Sequence, residues 1–147
     1  MRTAVPLVVG LFLLVLVACS SVSPVAIRAG DICENCRRPI QNVKVAAEIV
    51  PPGGLPLKFR TVSCAARYLH ERQGTGDVVF VTDFPSGRLI RPQSAIFVKS
   101  EIDDNTKELD YYAFGNVPSA LAFEKEHGGS ATDWPSILQR VAASGAH

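Results

Sequence analysis

Apolar and polar positions along this chain fall into short blocks whose periods outline a small mixed domain. Residues 43–50 are rich in Val, Ala and Ile and predict a strand. Pro51-Pro52-Gly53-Gly54 breaks it, residues 55–59 resume as a second strand, and the pair reads as a hairpin. Over residues 61–72 the period changes. Val62, Ala65, Ala66 and Leu69 fall at i, i+3, i+4 and i+7, the stripe of an amphipathic helix. Gly74 and Gly76 stop that helix, and residues 78–82 are a short apolar run of the kind found in buried strands. A turn over 83–87, strands over 89–90 and 94–99, an acidic loop over 101–110 and a short strand over 111–114 are expected next. Gly115-Asn116 then leads into a second helix, with Pro118 near its first position and Gly128-Gly129 past its end. A final helix starts at Asp133, a good N-cap, with Pro135 tolerated in the first turn. A hairpin followed by a helix occurs twice, so two loosely similar halves sharing one sheet core are expected.

The amino-terminal pattern is of another kind. Arg2 precedes a nearly unbroken apolar run from position 5 to 17, which ends in Leu16-Val17-Ala18-Cys19. A basic start, a short apolar core and small residues before a cut site mark an export signal, and the run is shorter than the ~20 residues of a spanning helix. The tetrapeptide resembles the bacterial lipobox, which implies cleavage after residue 18 and lipidation of Cys19. Several acyl chains on one residue anchor a protein stably where a single chain does not. Ser20-Ser21 rather than aspartate after the cysteine favours the outer membrane, in a cell that has one. The expected organisation is a signal at 1–18, a lipidated tether at 19–30 and a folded domain at 31–147, lipid-anchored and facing the periplasm or the outer cell surface.

Charge narrows the partners. Without Arg2 the 15 basic residues become 14, against 14 acidic ones, and they form no basic cluster. Nucleic acid is therefore not an expected partner. Aromatic and branched aliphatic residues suffice for a core, so global disorder is not expected either.

With Cys19 acylated, Cys33, Cys36 and Cys64 remain, an odd number for an oxidising compartment. Cys33 and Cys36 form a C-x2-C pair, a spacing that lets two sulfurs face one ion across a tight turn. The same spacing serves redox disulfides, but those need a strand before the pair and a helix running out of it. Here Asp31 and a loop precede the pair and Pro39 follows. Cys64 falls in the first turn of the predicted helix, roughly 160–200° around from the apolar stripe. A packing cysteine belongs on that stripe, whereas a helix N-terminus favours a thiolate. His70 sits roughly 9 Å farther along the axis and cannot readily share an ion with Cys64. His127, before Gly128-Gly129, reads as a cation complementing a helix end, and His147 is terminal. Asp103, Asp104, Glu108 and Asp110 read as a solvated charged turn. Asp83 starts a Pro-Ser-Gly turn and is a candidate support for the thiol site. There is no G-x-S-x-G, no H-E-x-x-H and no phosphate-binding glycine loop, so a binding protein is expected rather than an enzyme. The residues leave three readings open: metal binding by thiolates, thiol–disulfide exchange by the C-x2-C pair, and a structural staple of disulfide or zinc.

Taken together, the lipobox cysteine, Cys33-x2-Cys36 with Pro39-Ile40, residues 59–68 around Cys64, residues 79–84, Ala113-Phe114-Gly115, His127-Gly128-Gly129 and Trp134 resemble the NosL family. These are lipoproteins associated with copper delivery to nitrous oxide reductase. The resemblance spans nearly the whole segment after Cys19. It implies an α+β fold of two ββα-type halves forming one compact domain, related in shape to organomercurial lyase, and binding of Cu(I). It also implies a copper enzyme such as nitrous oxide reductase as recipient. The chain departs from the family in its methionines. Arg37-Arg38, Ala65 and residues 109–112 stand where the family has them, and Met1 is the sole methionine. Any ligand set must therefore rest on Cys33, Cys36 and Cys64. Soft thiolates suit Cu(I), whereas Zn(II), the alternative, wants a fourth ligand. Arg37 and Arg38 flank the pair and are expected to offset thiolate charge.

Overall fold

The computed structural model describes residues 21–145. The signal-like segment 1–18, Cys19 and His147 lie outside the described residues. Strand β1 (Ala47–Val50) pairs antiparallel with β2 (Leu57–Phe59) on one side and with β3 (Val78–Thr82) on the other. Helix α1 (Val62–Arg72) connects β2 to β3, and β4 (Leu89–Ile90) extends the sheet, giving the order β2-β1-β3-β4. The pattern then repeats. Strand β5 (Ile96–Asp103) pairs antiparallel with β6 (Glu108–Phe114) and with β7 (Ala131–Thr132), and helix α2 (Val117–His127) connects β6 to β7. Helix α3 (Trp134–Ser144) closes the chain and packs back on α1.

The α+β class and the two ββα halves are as expected. The single sheet core is not, because each half builds its own sheet. The sheets meet at one parallel bridge, Asp83 to Ala113, where the Phe84 amide donates to the Ala113 carbonyl at 2.8 Å.

Alternation in β5 and β6 explains how the layers assemble. Phe97, Tyr111 and Ala113 point into a core shared with Ile49, Phe59, Ala65, Val81, Trp134 and Ile137. Val98, Tyr112 and Phe114 point the other way, against Ala120, Phe123 and Phe84. The second sheet thus has α1, α3 and the first sheet on one face and α2 on the other. A strand buried on both faces reads as a continuous apolar run, and residues 111–114 do so.

Local chemistry moved several boundaries. Residues 43–45 form a 3₁₀ turn rather than strand, because the Asn42 side chain accepts from the Lys44 amide at 3.1 Å. Residues 55–56 lie outside β2, where Pro56 has no amide to pair. The expected acidic loop is mostly hairpin. Only the turn between β5 and β6 is irregular, held by Asp103 accepting from the Asn105 and Thr106 amides and by Lys107 at φ 55°. The tether reading of 19–30 also changes at its far end. The Val25 amide donates to both oxygens of Glu48, at 2.9 and 3.2 Å, and Lys58 reaches the Ala26 carbonyl at 3.1 Å. Glu48 is fully buried, and burial pushes its carboxyl up. This stretch is strapped across β1 and β2 rather than standing off the domain.

Candidate metal centre

Two segments distant in sequence build the site. Residues 30–40 form a knuckle. Ile32 and Pro39 make an antiparallel bridge, the Cys33 amide donates to the Arg38 carbonyl at 2.9 Å, and the Arg37 amide donates back to the Cys33 carbonyl at 3.0 Å. Closing that turn puts Arg37 at φ 60°, left-handed backbone that costs a non-glycine residue roughly 1–2 kcal/mol. The Glu34 amide donates to the Lys58 carbonyl at 2.8 Å and pins the knuckle to β2. No helix leaves the C-x2-C pair, so the frame of a thioredoxin-like redox site is absent here.

The second segment is the first turn of α1. Thr61 is the N-cap, its hydroxyl oxygen accepting from the Cys64 amide at 3.2 Å. Asp110 on β6 accepts from the Ser63 amide at 3.1 Å and from the Ser63 hydroxyl at 2.9 Å. Two of the unpaired amides at the helix start are thereby satisfied. Asp110 is buried, and the desolvation pushes its carboxyl up against these donors. It does not belong to a solvated turn, contrary to expectation.

The three sulfurs converge. The Sγ atoms of Cys33, Cys36 and Cys64 all lie within 4.8 Å of one another. Cys64, expected away from the apolar stripe, is 1 % exposed and packs in the same core as Val62, Ala65, Ala66 and Cys33 of the knuckle. Cys33 is fully buried, and Cys36 is half-buried and forms the open side. None of the three is in a disulfide.

The thiols differ sharply in acidity. Cys33 donates its proton toward Cys64, and that bond holds Cys64 well below the ordinary thiol value. Burial opposes the shift, while the Thr61 hydroxyl and the Arg67 guanidinium, whose Nη2 lies 3.8 Å from Sγ, support it. Cys33 is raised by the same hydrogen bond and by burial. At Cys36 burial acts upward, but the amide and guanidinium of Arg38 and the neighbouring Cys33 outweigh it and leave the thiol lowered.

Of the flanking residues expected to support the site, Arg38 does reach Cys36. Arg37 turns outward to Glu34 at 3.1 Å and stays exposed. Asp83 is occupied elsewhere, accepting from the Gly115 amide at 2.8 Å and from Ser86, where it joins the two halves of the fold. Two arginines take the places expected for those residues. Arg67 touches Cys64, and Arg60 sits between Cys36 and Glu108, ion-paired to Glu108. Arg67 was legible at i+3 from Cys64, one helical turn away. Arg60 was not, because its approach to Cys36 depends on where the knuckle docks.

With zinc-type bonds of about 2.3 Å, an ion in the plane of three thiolates sets the sulfurs about 4.0 Å apart. The present spacing meets that with side-chain adjustments of less than an ångström. Three soft donors, one open side and flanking guanidinium groups suit a soft ion of low coordination number.

No protein-family model and no curated protein matches the sequence. Among solved structures, the chain is similar to the crystal structure of the copper chaperone NosL from Shewanella denitrificans. The TM-score is 0.62 at 17% identity, over 80% of this chain and 97% of that one. The fold is NosL-like. At this identity the likeness speaks for architecture, and the chemistry rests on the thiol cluster.

Proposed function

We propose that this protein is a copper-handling member of the NosL family that holds Cu(I) on Cys33, Cys36 and Cys64 and passes it on. The observation that carries the reading is the convergence of three sulfurs within 4.8 Å from segments some thirty residues apart. Three thiolates around a monovalent ion leave two negative charges in excess, and burying such charge is costly unless it is compensated. Arg38, Arg60 and Arg67 supply that compensation. Zinc fits less well, because its fourth ligand would have to come from outside the cluster. Binding is favoured over thiol–disulfide exchange because, among the described residues, no helix runs out of the C-x2-C pair.

In this reading Cys19 carries the lipid that anchors the protein to a membrane facing the periplasm, with the outer membrane favoured. The recipient is an apo copper enzyme of the nitrous oxide reductase kind. The half-exposed Cys36 is the side through which the ion enters and leaves. Cu(I) titration of the reduced protein should saturate at one ion per chain, with the thiolate-to-copper absorption in the near ultraviolet. Loss of that saturation when Cys33, Cys36 and Cys64 are all serine supports the proposal, and unchanged binding refutes it.

A further inference from the structure

Beside the thiol cluster, and sharing Arg67 with it, lies a cleft of about 970 Å³ between α1, the β5–β6 hairpin and the carboxyl-terminal half of α3. Its volume is at the upper end of the range of small-molecule sites. Three cations from three different elements line it: Arg67 of α1, Lys99 of β5 and Arg140 of α3. Two of them meet on one aromatic ring. Arg140 Nη1 donates to the Tyr111 hydroxyl at 3.3 Å, and Lys99 Nζ stands 5.8 Å from the centre of that ring.

The acids of the cleft do not cancel this charge. Asp110 is buried and already accepts from Ser63 and Tyr111. Glu108 is paired with Arg60 and, at 3.9 Å, with Arg38. Among the described residues Arg67, Lys99 and Arg140 have no carboxylate within ion-pairing distance, and of the lining carboxylates Glu71 and the buried Asp110 have no cation. Gln73 adds a neutral donor, while the hydroxyls of Ser63 and Ser144 already donate to Asp110 and to the Arg140 carbonyl.

We infer that this cleft binds a small organic anion carrying two or more carboxylates, held by Lys99 and Arg140 at Tyr111, with Arg67, which also touches Cys64, lining the same cleft. A single phosphate would occupy only a fraction of the volume. The inference goes beyond copper handling but shares Arg67 with the thiol site, so its test rests on Lys99 and Arg140.

The test is calorimetric titration of the metal-free, reduced protein with tricarballylate at low salt, with inorganic phosphate as a parallel titrant. Amide NMR shifts locate the site. The expected result is tricarballylate binding that perturbs Ser63 and Tyr111, with phosphate at least about tenfold weaker. K99Q/R140Q, which removes two charged donors, should weaken tricarballylate at least about tenfold. Both side chains are exposed, so this variant should melt like the parent. Glu71→Gln, which removes an unpaired carboxylate, should tighten binding. No tricarballylate binding in the parent, equal binding of phosphate, or unchanged affinity in K99Q/R140Q would each overturn the inference.

Discussion

Replacing Cys64 with serine removes one sulfur of the three while leaving its surroundings intact. The bond between the Cys64 amide and Thr61 is made by the backbone and survives the change. Serine is close to cysteine in size and its hydroxyl can accept from Cys33, but it does not ionise, so the variant should fold while losing the stability that the depressed Cys64 thiol contributes near neutral pH. The effect on copper should be far larger. Groups that merely orient a metal ligand cost 10–100-fold in affinity when lost, so deleting a ligand should cost more than about 100-fold. That corresponds to roughly 2.7 kcal/mol or more. The assay is competition for Cu(I) against a coloured copper(I) chelator, run on reduced parent and variant, with urea unfolding as the control. An affinity within about threefold of the parent, in a variant that still unfolds cooperatively, would refute a shared three-sulfur site.

Other outcomes follow from the same geometry. Arg60→Met should weaken copper about tenfold through the lost charge beside Cys36, whereas Arg37→Ala, which removes only an exposed pair with Glu34, should leave affinity unchanged in the same competition assay. In the metal-free protein Cys64 is depressed and Cys33 raised, so the folded pair holds one proton over a wide range. The unfolded chain holds two protons below the ordinary value of 9.0 and none above it. Their contribution to stability should therefore rise with pH up to about 9 and fall beyond it, a hump that urea unfolding of C33S/C64S should lack. Phe97→Ala should cost about 3–5 kcal/mol in the same unfolding assay, because the ring is fully buried against Trp134.

The elements whose signals are local were readable from the chain. Thr61, Asn116 and Asp133 each cap the helix that follows, and each accepts from an amide three residues on. The apolar run over Val78–Thr82 is a strand to the residue. What escaped depends on partners far along the chain. β7 is two residues long and exists only because Phe97 and Val98 present an edge to it. Asp110 looked like one acid among several in a loop, and its burial follows from α1 docking its first turn there. The same holds at the site. The helical wheel set Cys64 away from the core, whereas it is buried in that core beside Cys33 of the knuckle, which no periodicity within α1 reports. Asp83 lay one residue beyond a strand end, a position that suited support of the thiols and turned out to join the two sheets.

X-ray absorption at the copper edge of the Cu(I)-loaded protein bears most directly on the central claim. One copper per chain with three sulfur neighbours and no nitrogen or oxygen in the inner sphere is the predicted result. Two sulfurs only, or a nitrogen or oxygen neighbour in place of the third, would contradict it.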